Sequence, residues 1–261
     1  MLSASPKLTI TPIITDKFYL GDDLFAFFNK HLDDIKEKDV VVVTSKIVSL
    51  AEKRVVKKRT DNKSAKHQLV KQEADWWLPA HHSKYNLMLT IKGSTLAVNA
   101  GIDESNIDGN YYLLLPKDPY ASAAKIWRYL RERFHLKHVG VVISDSMTMP
   151  LRWGVFGNSL AHCGFKAIVS RVGEKDLFGR SMLMTKINLP QSIAQTAVFA
   201  MGEVNEARPL AVVKGISSIT PIEFQDHPPT KEELSQIKID LDDDVYGPVL
   251  KAVKWQKGLE R

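Results

Sequence analysis

The sequence predicts a mixed α/β fold (α+β in detail), in which strands and helices follow one another along 261 residues. Two runs of β-branched residues, 40–45 and 139–143, are typical of buried strands. Asp118-Pro119 starts a strong helix, because aspartate suits the N-cap and proline the first helical position. Ligands of α/β proteins bind outside the carboxyl ends of strands, so polar residues that follow these strands are the first functional candidates.

The amino-terminal half is predicted to begin with an edge strand and a helix. Residues 8–14 alternate in polarity, and Pro12 argues against a central position in a sheet. Gly21-Asp22-Asp23 opens a helix, and its apolar stripe comprises Leu24, Phe27, Phe28, Leu32 and Ile35. The polar stretch 64–78 is helical in composition and ends at two tryptophans. Short strands are predicted around 87–91, 95–98 and 111–115.

The carboxyl-terminal half alternates in the same way. The helix from Asp118 runs to about Phe134, and the strand 139–143 follows it. A helix over 190–201 and a strand over 210–214 come next. The tail from 228 is predicted to form a short charged helix over 230–237, an acidic turn at 242–244 and a closing segment. Since no repeat or flexible linker interrupts the chain, we expect a single domain over 1–261.

Composition indicates a globular protein of the cytoplasm. Hydrophobic residues make up 44% and charged residues 25%, which are ordinary values for a folded chain. The single cysteine, Cys163, excludes an internal disulfide and fits a reducing compartment. The start of the chain lacks the basic leader and apolar core of a signal peptide, and no run is long enough for a membrane span.

The chain is basic, with a formal net charge of +6 and a pI near 9.2. Much of the excess comes from a cluster formed by Lys53, Arg54, Lys57, Lys58 and Arg59. A solvated basic edge is the favoured interpretation, and attraction of small polyanions is the second. Nucleic-acid binding is disfavoured, because no helix-turn-helix, zinc-finger or aromatic ribonucleoprotein motif accompanies the charge.

Several common catalytic motifs are absent from the sequence. The chain has no phosphate-binding P-loop, no dinucleotide fingerprint and no nucleophile elbow. His81 and His82 are neighbours whose side chains should point apart, which disfavours a shared metal. Cys163 follows His162, but adjacency in sequence is no catalytic arrangement, so a small buried thiol is the better interpretation.

What remains is a set of acidic residues near predicted turns. They are Asp103, Glu104, Asp145, Asp176 and Glu203. Each alone is most simply a turn residue or helix cap. Together they suggest a hard-metal and phosphate site, because Mg²⁺ and Mn²⁺ take oxygen ligands from carboxylates and substrate phosphates. Donors to those phosphates would come from Lys46, Asn106, Arg152 and Arg180, although Arg152 is equally plausible in a surface ion pair and Trp153 in core packing.

The order of these motifs resembles the coenzyme F-420 gamma-glutamyl ligase family. The resemblance rests on DVVVVTSKIVSLAEKRVV, GIDESN, LLLPKDPYASA, VVISDS with the following P, R and G, DLFGR and MGE, and it covers about 20–215, leaving 216–261 as an extension. It implies the fold of that family, with two interlocked lobes, and an amide-forming ligase. In such an enzyme a substrate carboxylate attacks the terminal phosphate of ATP or GTP, and L-glutamate then displaces phosphate from the acyl phosphate.

The resemblance also implies which residues form the site. The metal ligands of the family fall on Asp103, Asp145, Ser146 and Glu203, and two Mg²⁺ or Mn²⁺ ions are implied, with K⁺ as a further ion. Nucleotide contacts fall near 15–18, on Ser45, Lys46 and Asn106, and along 201–208, which includes Met201, Gly202 and Arg208. Asp145 and Arg152 are the expected catalytic residues. A cytoplasmic homodimer with a shared site is also implied.

The chain departs from the deazaflavin ligases in three places. Those enzymes read S-D-T-F-G-R-P-W-R-x-G where this chain has residues 144–154, so Met147-Thr148-Met149 replaces a segment that carries an arginine. Leu50 stands where they place a lysine, and Lys53 where they place a glycine. Residues 73–79 and the tail look like a paralogous subgroup whose members are described as folate gamma-glutamate ligases.

Three functional hypotheses follow. The leading one is a ligase that adds L-glutamate to a folate through a gamma-linked amide. The alternative is the same reaction on the deazaflavin coenzyme F-420 precursor. The least favoured is a basic nucleic-acid-binding protein on a retired ligase fold, because a retired site would have no chemical need for Asp103, Asp145 and Glu203.

Overall fold

The computed structural model describes residues 7–58 and 63–259 and confirms a mixed α/β fold. Arg59 of the predicted basic cluster and the first six residues lie outside the described ranges. The strands are β1 Thr9–Ile13, β2 Val40–Thr44, β3 Val55–Lys57, β4 Trp76–Trp77, β5 Leu89–Lys92, β6 Thr95–Val98, β7 Tyr111–Leu113, β8 Gly140–Thr148, β9 Val155–Cys163, β10 Ile168–Ser170, β11 Lys186–Asn188, β12 Leu210–Lys214 and β13 Gln256–Lys257. The helices are α1 Leu24–His31, α2 Ser45–Ala51, α3 Lys63–Glu73, α4 Pro119–Phe134, α5 Leu189–Met201, α6 Ile216–Ile219, α7 Lys231–Ser235 and α8 Gly247–Lys251.

The main sheet has the strand order β1-β12-β2-β8-β9. Strands β2 and β8 are parallel, and the other neighbours in this sheet are antiparallel. β1 lies at the edge, as Pro12 predicts, since proline has no N–H to offer a second neighbour. β2, which belongs to the parallel pair, is the middle strand of the five. Both of its faces are covered, so all of Val40 to Val43 is buried.

Helices cover both faces of the main sheet. Val41 and Val43 pack in a core with α1 and α4, while Val40 and Val42 pack in a second core with α5. This alternation follows from the two-residue period of a strand. α4 begins where the sequence predicts, with the Asp118 side chain accepting from the Ala121 N–H at 3.0 Å.

A second sheet with the order β13-β4-β5-β6 packs against α3 around a third core that includes Val70, Trp77 and Met88. The helix predicted over 64–78 is therefore wrong in its last part, because α3 ends at Glu73 and the two tryptophans form β4. There the Trp77 indole N–H donates to the Lys257 carbonyl at 3.1 Å, which ties the tail to this sheet.

Three other sequence expectations need correction around the main sheet. The strand predicted over 139–143 continues to Thr148, because its second half pairs with β9, a strand that the polar pattern of 155–163 did not reveal. α1 ends at His31, and Ile35 reaches the core from the segment after the helix. Trp153 is 92% exposed, so the interpretation as core packing is wrong.

The remaining motifs have simple environments. Cys163 is a buried thiol, as expected, and burial raises its pKa to about 12. The rings of His81 and His82 lie 4.5 Å apart, edge to face, so the expectation that they point apart is wrong. Within 7–58 and 63–259, no helix has the length and apolar character needed to cross a membrane.

Candidate active site

A cleft of about 550 Å³ opens at the carboxyl ends of the parallel strands β2 and β8, and we call it the main cleft. Its walls come from 15–19, the start of α2, 106–108 and 201–209, together with Ser144 to Ser146 of β8. Its volume is typical of small-molecule sites. Its position at the ends of parallel strands is the one where α/β proteins bind ligands.

Asp145 lies on the floor of the main cleft, one residue beyond the last parallel pair, Thr44 with Ser144. A register shift between Ile143 and Ser144 changes how β8 pairs at this point. The Ser45 hydroxyl donates to Asp145 Oδ1 at 3.1 Å. Burial raises the pKa of Asp145 to about 6, although the Ser146 N–H, the Ser45 hydroxyl and the Lys46 charge all act to lower it. The surroundings of Asp145 therefore destabilise its ionised form.

Asp103 sits in a tight turn that fixes both of its carboxylate oxygens. The N–H groups of Glu104 and Ser105 donate to Oδ1 at 2.6 and 2.9 Å, and the Ser105 hydroxyl donates to Oδ2. The Lys46 ammonium lies 2.5 Å from Oδ2. Burial alone would raise the pKa of Asp103, but Lys46 and the two amides outweigh it and lower the pKa to about 2. Asp103 is thus ionised throughout the physiological range.

The third predicted acid, Glu203, follows the last turn of α5. Gly202 has φ of 87° and ends the helix, and an added Cβ there would meet the Glu206 carboxyl carbon at 2.3 Å. The Ser146 hydroxyl donates to Glu203 Oε2 at 2.5 Å, so Glu203 and Ser146 lie side by side at the rim of the cleft. Two predicted metal ligands from distant parts of the chain therefore meet.

The loop 201–209 is held in place by bonds to three other segments. The Asn106 side-chain amide donates to the Val204 carbonyl at 2.8 Å. The Thr15 N–H donates to the Ala207 carbonyl at 2.9 Å, and the Thr44 N–H donates to the Pro209 carbonyl at 3.0 Å. The loop is therefore held in one conformation in which its backbone groups can contact a ligand.

Most of the sequence-predicted residues meet in this region. The main cleft is lined by Lys46, Asn106, Asp145, Ser146, Met201, Gly202, Glu203 and Arg208. Ser45 is buried behind Asp145, and Asp103 adjoins the cleft through Lys46. Sequence reasoning missed Tyr19 and Asp108, which also line the cleft, while Glu206 falls within the range 201–208 expected to contact the nucleotide. Asp108 could have been noticed as an acid two residues after Asn106 in the turn segment NIDGN.

Three predicted residues lie elsewhere. Arg152 is exposed in the β8–β9 turn, where its guanidinium donates to the Leu151 carbonyl at 3.0 Å. Asp176 accepts from the N–H groups of Phe178 and Arg180, both at 2.8 Å, and is thus a turn residue in the loop between β10 and β11. The main cleft is built from other residues, so this geometry gives Arg152 and Arg180 no catalytic partner there.

The basic cluster is more than a solvated edge. Arg54 pairs with the buried Glu73 carboxylate at 2.9 Å, and Lys58 pairs with Glu104 at 2.5 Å. Lys66 also pairs with Glu104, at 2.6 Å. The two pairs with Glu104 hold the turn that carries Asp103, so part of the positive charge positions the site instead of facing solvent.

The oxygen-rich side chains fit a hard divalent cation that is shared with a ligand. In the described part of the chain, no three His, Cys, Asp or Glu side chains form a metal-binding group by themselves. Mg²⁺ needs no such group, since it is usually held by one or two carboxylates, substrate phosphates and water. Asp145, whose buried charge has only a hydroxyl and an amide as close donors, is the side chain that a cation would stabilise most. Asp103, Glu203 and Ser146 would complete the oxygen donors.

Comparison with known proteins agrees with this arrangement. The model of the family described as F420-0:Gamma-glutamyl ligase matches residues 12–215. The chain belongs to this family. A coenzyme F420:L-glutamate ligase of Methanopyrus kandleri is 29% identical over 226 residues, which cover 81% of this chain and 88% of that protein. A relative of the same name from Archaeoglobus fulgidus is 33% identical over 211 residues, covering 76% and 83%.

A third relative of that name, from Methanocaldococcus jannaschii, is 39% identical over 131 residues, covering 50% of this chain and 52% of that protein. The family match extends from the end of β1 through β12 and thus includes the segments that form the main cleft. The chain is therefore a gamma-glutamyl ligase, an enzyme that joins an amino acid to a carboxylate.

Proposed function

We propose that this ligase joins L-glutamate to the carboxylate of a deazaflavin acceptor, at the expense of ATP or GTP and with divalent cations. The observation that carries the proposal is the meeting of Asp145, Asp103 and Lys46 at one end of a cleft of nucleotide size. The deazaflavin is preferred as acceptor because the relatives compared above are named coenzyme F420:L-glutamate ligase. The names of these relatives favour the deazaflavin acceptor, which the sequence analysis ranked second, over the folate acceptor, which it ranked first.

The proposed reaction has two steps. An acceptor carboxylate oxygen bonds to the terminal phosphorus, the bond to the bridging oxygen breaks, and a nucleoside diphosphate leaves with that electron pair. The nitrogen of L-glutamate then bonds to the acyl carbon, and phosphate leaves with the electrons of the broken C–O bond. One proton from the amino group is released to solvent.

The polar residues at the cleft have separate roles in this scheme. Asp145, Asp103, Glu203 and Ser146 would hold Mg²⁺ or Mn²⁺, which when bound neutralises charge on the phosphates. Lys46 reaches the same point from α2 and would donate to phosphate oxygens. The loop 201–209, which includes Arg208, would surround the nucleotide, and Asn106 keeps that loop in place. K⁺ as a further ion stays a prediction without a residue set.

Folate is the second candidate acceptor, and one observation favours it. Met147-Thr148-Met149 replaces the segment that carries an arginine in deazaflavin ligases. Met147 and Thr148 follow Asp145 and Ser146 on β8, and Met149 comes directly after the strand. A different acceptor molecule would account for this substitution beside the reacting centre. The two candidates share the reaction and differ only in the molecule that brings the carboxylate.

We also propose that the enzyme acts as a homodimer. The loop between β10 and β11 exposes four large apolar side chains, Leu177, Phe178, Leu183 and Met184, each at least 80% accessible. Exposed apolar groups concentrated in one loop are typical of interaction sites. A second copy of the chain would bury them.

The test is an incubation with nucleotide, Mg²⁺ or Mn²⁺, L-glutamate and either the deazaflavin precursor or tetrahydrofolate, followed by mass spectrometry. We expect glutamyl addition to the deazaflavin, and addition only to the folate would reverse the order of the two acceptors. Asp145→Asn should abolish addition, whereas Asp242→Asn, at an exposed acid of the carboxyl-terminal tail, should retain it. Addition to neither acceptor would overturn the proposal.

A further inference from the structure

A second cleft, of about 310 Å³, lies behind Asp145 and Ser146. It is enclosed by the β5–β6 hairpin on one side and by the β8–β9 hairpin on the other. Asp145 and Ser146 line both this cleft and the main cleft. The two clefts therefore meet at the residues proposed to hold the metal and the terminal phosphate.

The chemistry of phosphoryl transfer assigns different reactants to the two clefts. The attacking and leaving oxygens lie roughly in line on opposite sides of the transferred phosphorus. If the nucleotide occupies the main cleft with its terminal phosphate near Asp145, the leaving group points back into that cleft. The attacking carboxylate must then approach the phosphorus from the side that faces away from the main cleft, and the second cleft is the space beyond Asp145 and Ser146 on that side.

The walls of the second cleft indicate what kind of molecule would bring that carboxylate. They are mainly apolar and include Leu96, Met147, Met149, Val155 and Leu160. Two of its polar side chains are engaged with other residues, since the Lys92 ammonium bonds to Glu73 Oε2 at 2.6 Å and Asn158 Oδ1 accepts from the Gln191 amide at 2.8 Å. A molecule that brings a carboxylate to Asp145 from this side would rest the apolar part of its stem against these walls.

We propose that the second cleft binds the carboxylate-bearing end of the acceptor, and that Met147 and Met149 set the shape of the space beside it. The inference rests on the proposed function and adds the place of the acceptor and two specificity-determining residues. Unbranched methionine side chains adapt to stems of different shape, so substitutions at 147 and 149 would change the preference for the acceptor without changing the reaction.

The test uses a matched pair of substitutions in one turn. Met149→Trp narrows the second cleft, and Leu151→Trp adds the same side chain two residues away, at a position that is 96% exposed. Acceptor binding is measured by isothermal titration calorimetry with the deazaflavin precursor, and nucleotide binding with a non-hydrolysable analogue. We expect Met149→Trp to raise the acceptor Kd by about tenfold or more. The nucleotide Kd, and both constants for Leu151→Trp, should stay within about twofold of wild type.

The outcomes separate this inference from the proposed function. An unchanged acceptor Kd for Met149→Trp, or an equal rise for Leu151→Trp, would overturn the inference even if the wild type adds glutamate. Loss of acceptor binding in Met149→Trp alone would support it even if the wild type failed to turn over, in which case the proposed function fails. A wild-type enzyme that binds no acceptor would overturn both.

Discussion

Asp145 and Asp103 belong to one candidate site but carry opposite pKa shifts. Burial raises the pKa of Asp145 from 3.8 to about 6, while Lys46 and two amides more than offset the burial of Asp103 and lower its pKa to about 2. The difference follows from their donors, because Asp103 has an ammonium at 2.5 Å and Asp145 has only a hydroxyl at 3.1 Å and an amide. Asp145 therefore reduces the stability of the free protein at neutral pH, as binding-site residues often do.

The first prediction is that Asp145→Asn stabilises the free protein while it abolishes ligase activity. The folded-state pKa of Asp145 lies above its unfolded value, so its protonated form contributes stability that is present below pH 3.8 and lost as pH rises through about 6. Asparagine removes that loss, and the free energy of unfolding at pH 7.5 should rise by about 2 kcal/mol. Denaturant unfolding at pH 7.5 and 4.5 measures the gain, which should shrink at the lower pH.

The matched control for this prediction is Asp103→Asn. Asp103 has a lowered pKa, so its ionised form contributes stability above pH 3.8 that is lost as pH falls through about 2. The substitution should therefore destabilise the protein at pH 7.5. If Asp145→Asn is destabilised to the same degree, the description of Asp145 as a costly buried charge is wrong.

Residue-scale prediction from the sequence succeeded where a motif and a strand end coincided. Asp145, Ser146 and Lys46 follow apolar strands, and the fold brings all three to the main cleft. The same reasoning could not place Arg152 or Arg180, because the direction of a side chain in a turn depends on backbone torsions that residue type does not reveal. The pairing of Ser146 with Glu203 also depends on the whole fold, since α5 lies between them in sequence.

At the scale of elements, the contact between α5 and the β8–β9 hairpin determines the shape of the site. Gly157 of β9 lies opposite Ser146, and a Cβ added to Gly157 would meet the Ala194 carbonyl oxygen at 2.4 Å and Val198 Cβ at 2.7 Å. Helix and hairpin therefore pack closer than any side chain at position 157 permits. Glu203 follows α5, so this close contact sets its distance from Ser146.

The second prediction is that Gly157→Ala pushes α5 away from the hairpin. We expect a loss of about 1–3 kcal/mol in the free energy of unfolding, the usual cost of overpacking, and a marked fall in ligase activity. Thr196→Ala, on the exposed face of the same helix, should change stability by no more than about 0.5 kcal/mol. Equal stability of the two variants in thermal unfolding would mean that the contact is not tight.

Elements with strong local signals could be predicted from the sequence, and those that depend on distant partners could not. α4 has its cap, its proline and its apolar stripe within the helix itself, and its predicted bounds are confirmed. β4 and β9 are strands because of their neighbours in the sheets, and their own sequences, Trp76–Trp77 and a partly polar run over 155–163, give little indication of it.

At the scale of the whole molecule, the exposed apolar loop between β10 and β11 leads to the third prediction, which concerns the proposed homodimer. In sedimentation velocity the wild type should be a dimer and the Phe178→Asp variant a monomer, because a charge in an apolar interface loses hydration. Phe199→Asp, at a similarly exposed site on α5, is the control and should remain dimeric. A wild type that sediments as a monomer at all concentrations would contradict the proposal.

The central claim is that the ligase activates an acceptor carboxylate as an acyl phosphate at Asp145. Labelling both oxygens of that carboxylate with ¹⁸O tests the claim most directly, because the oxygen that bonds to phosphorus leaves with the phosphate. After turnover with nucleotide and L-glutamate, mass spectrometry of the released phosphate should find one ¹⁸O for each glutamyl unit added to the acceptor. Unlabelled phosphate, or phosphate released without any glutamyl addition, would contradict the account.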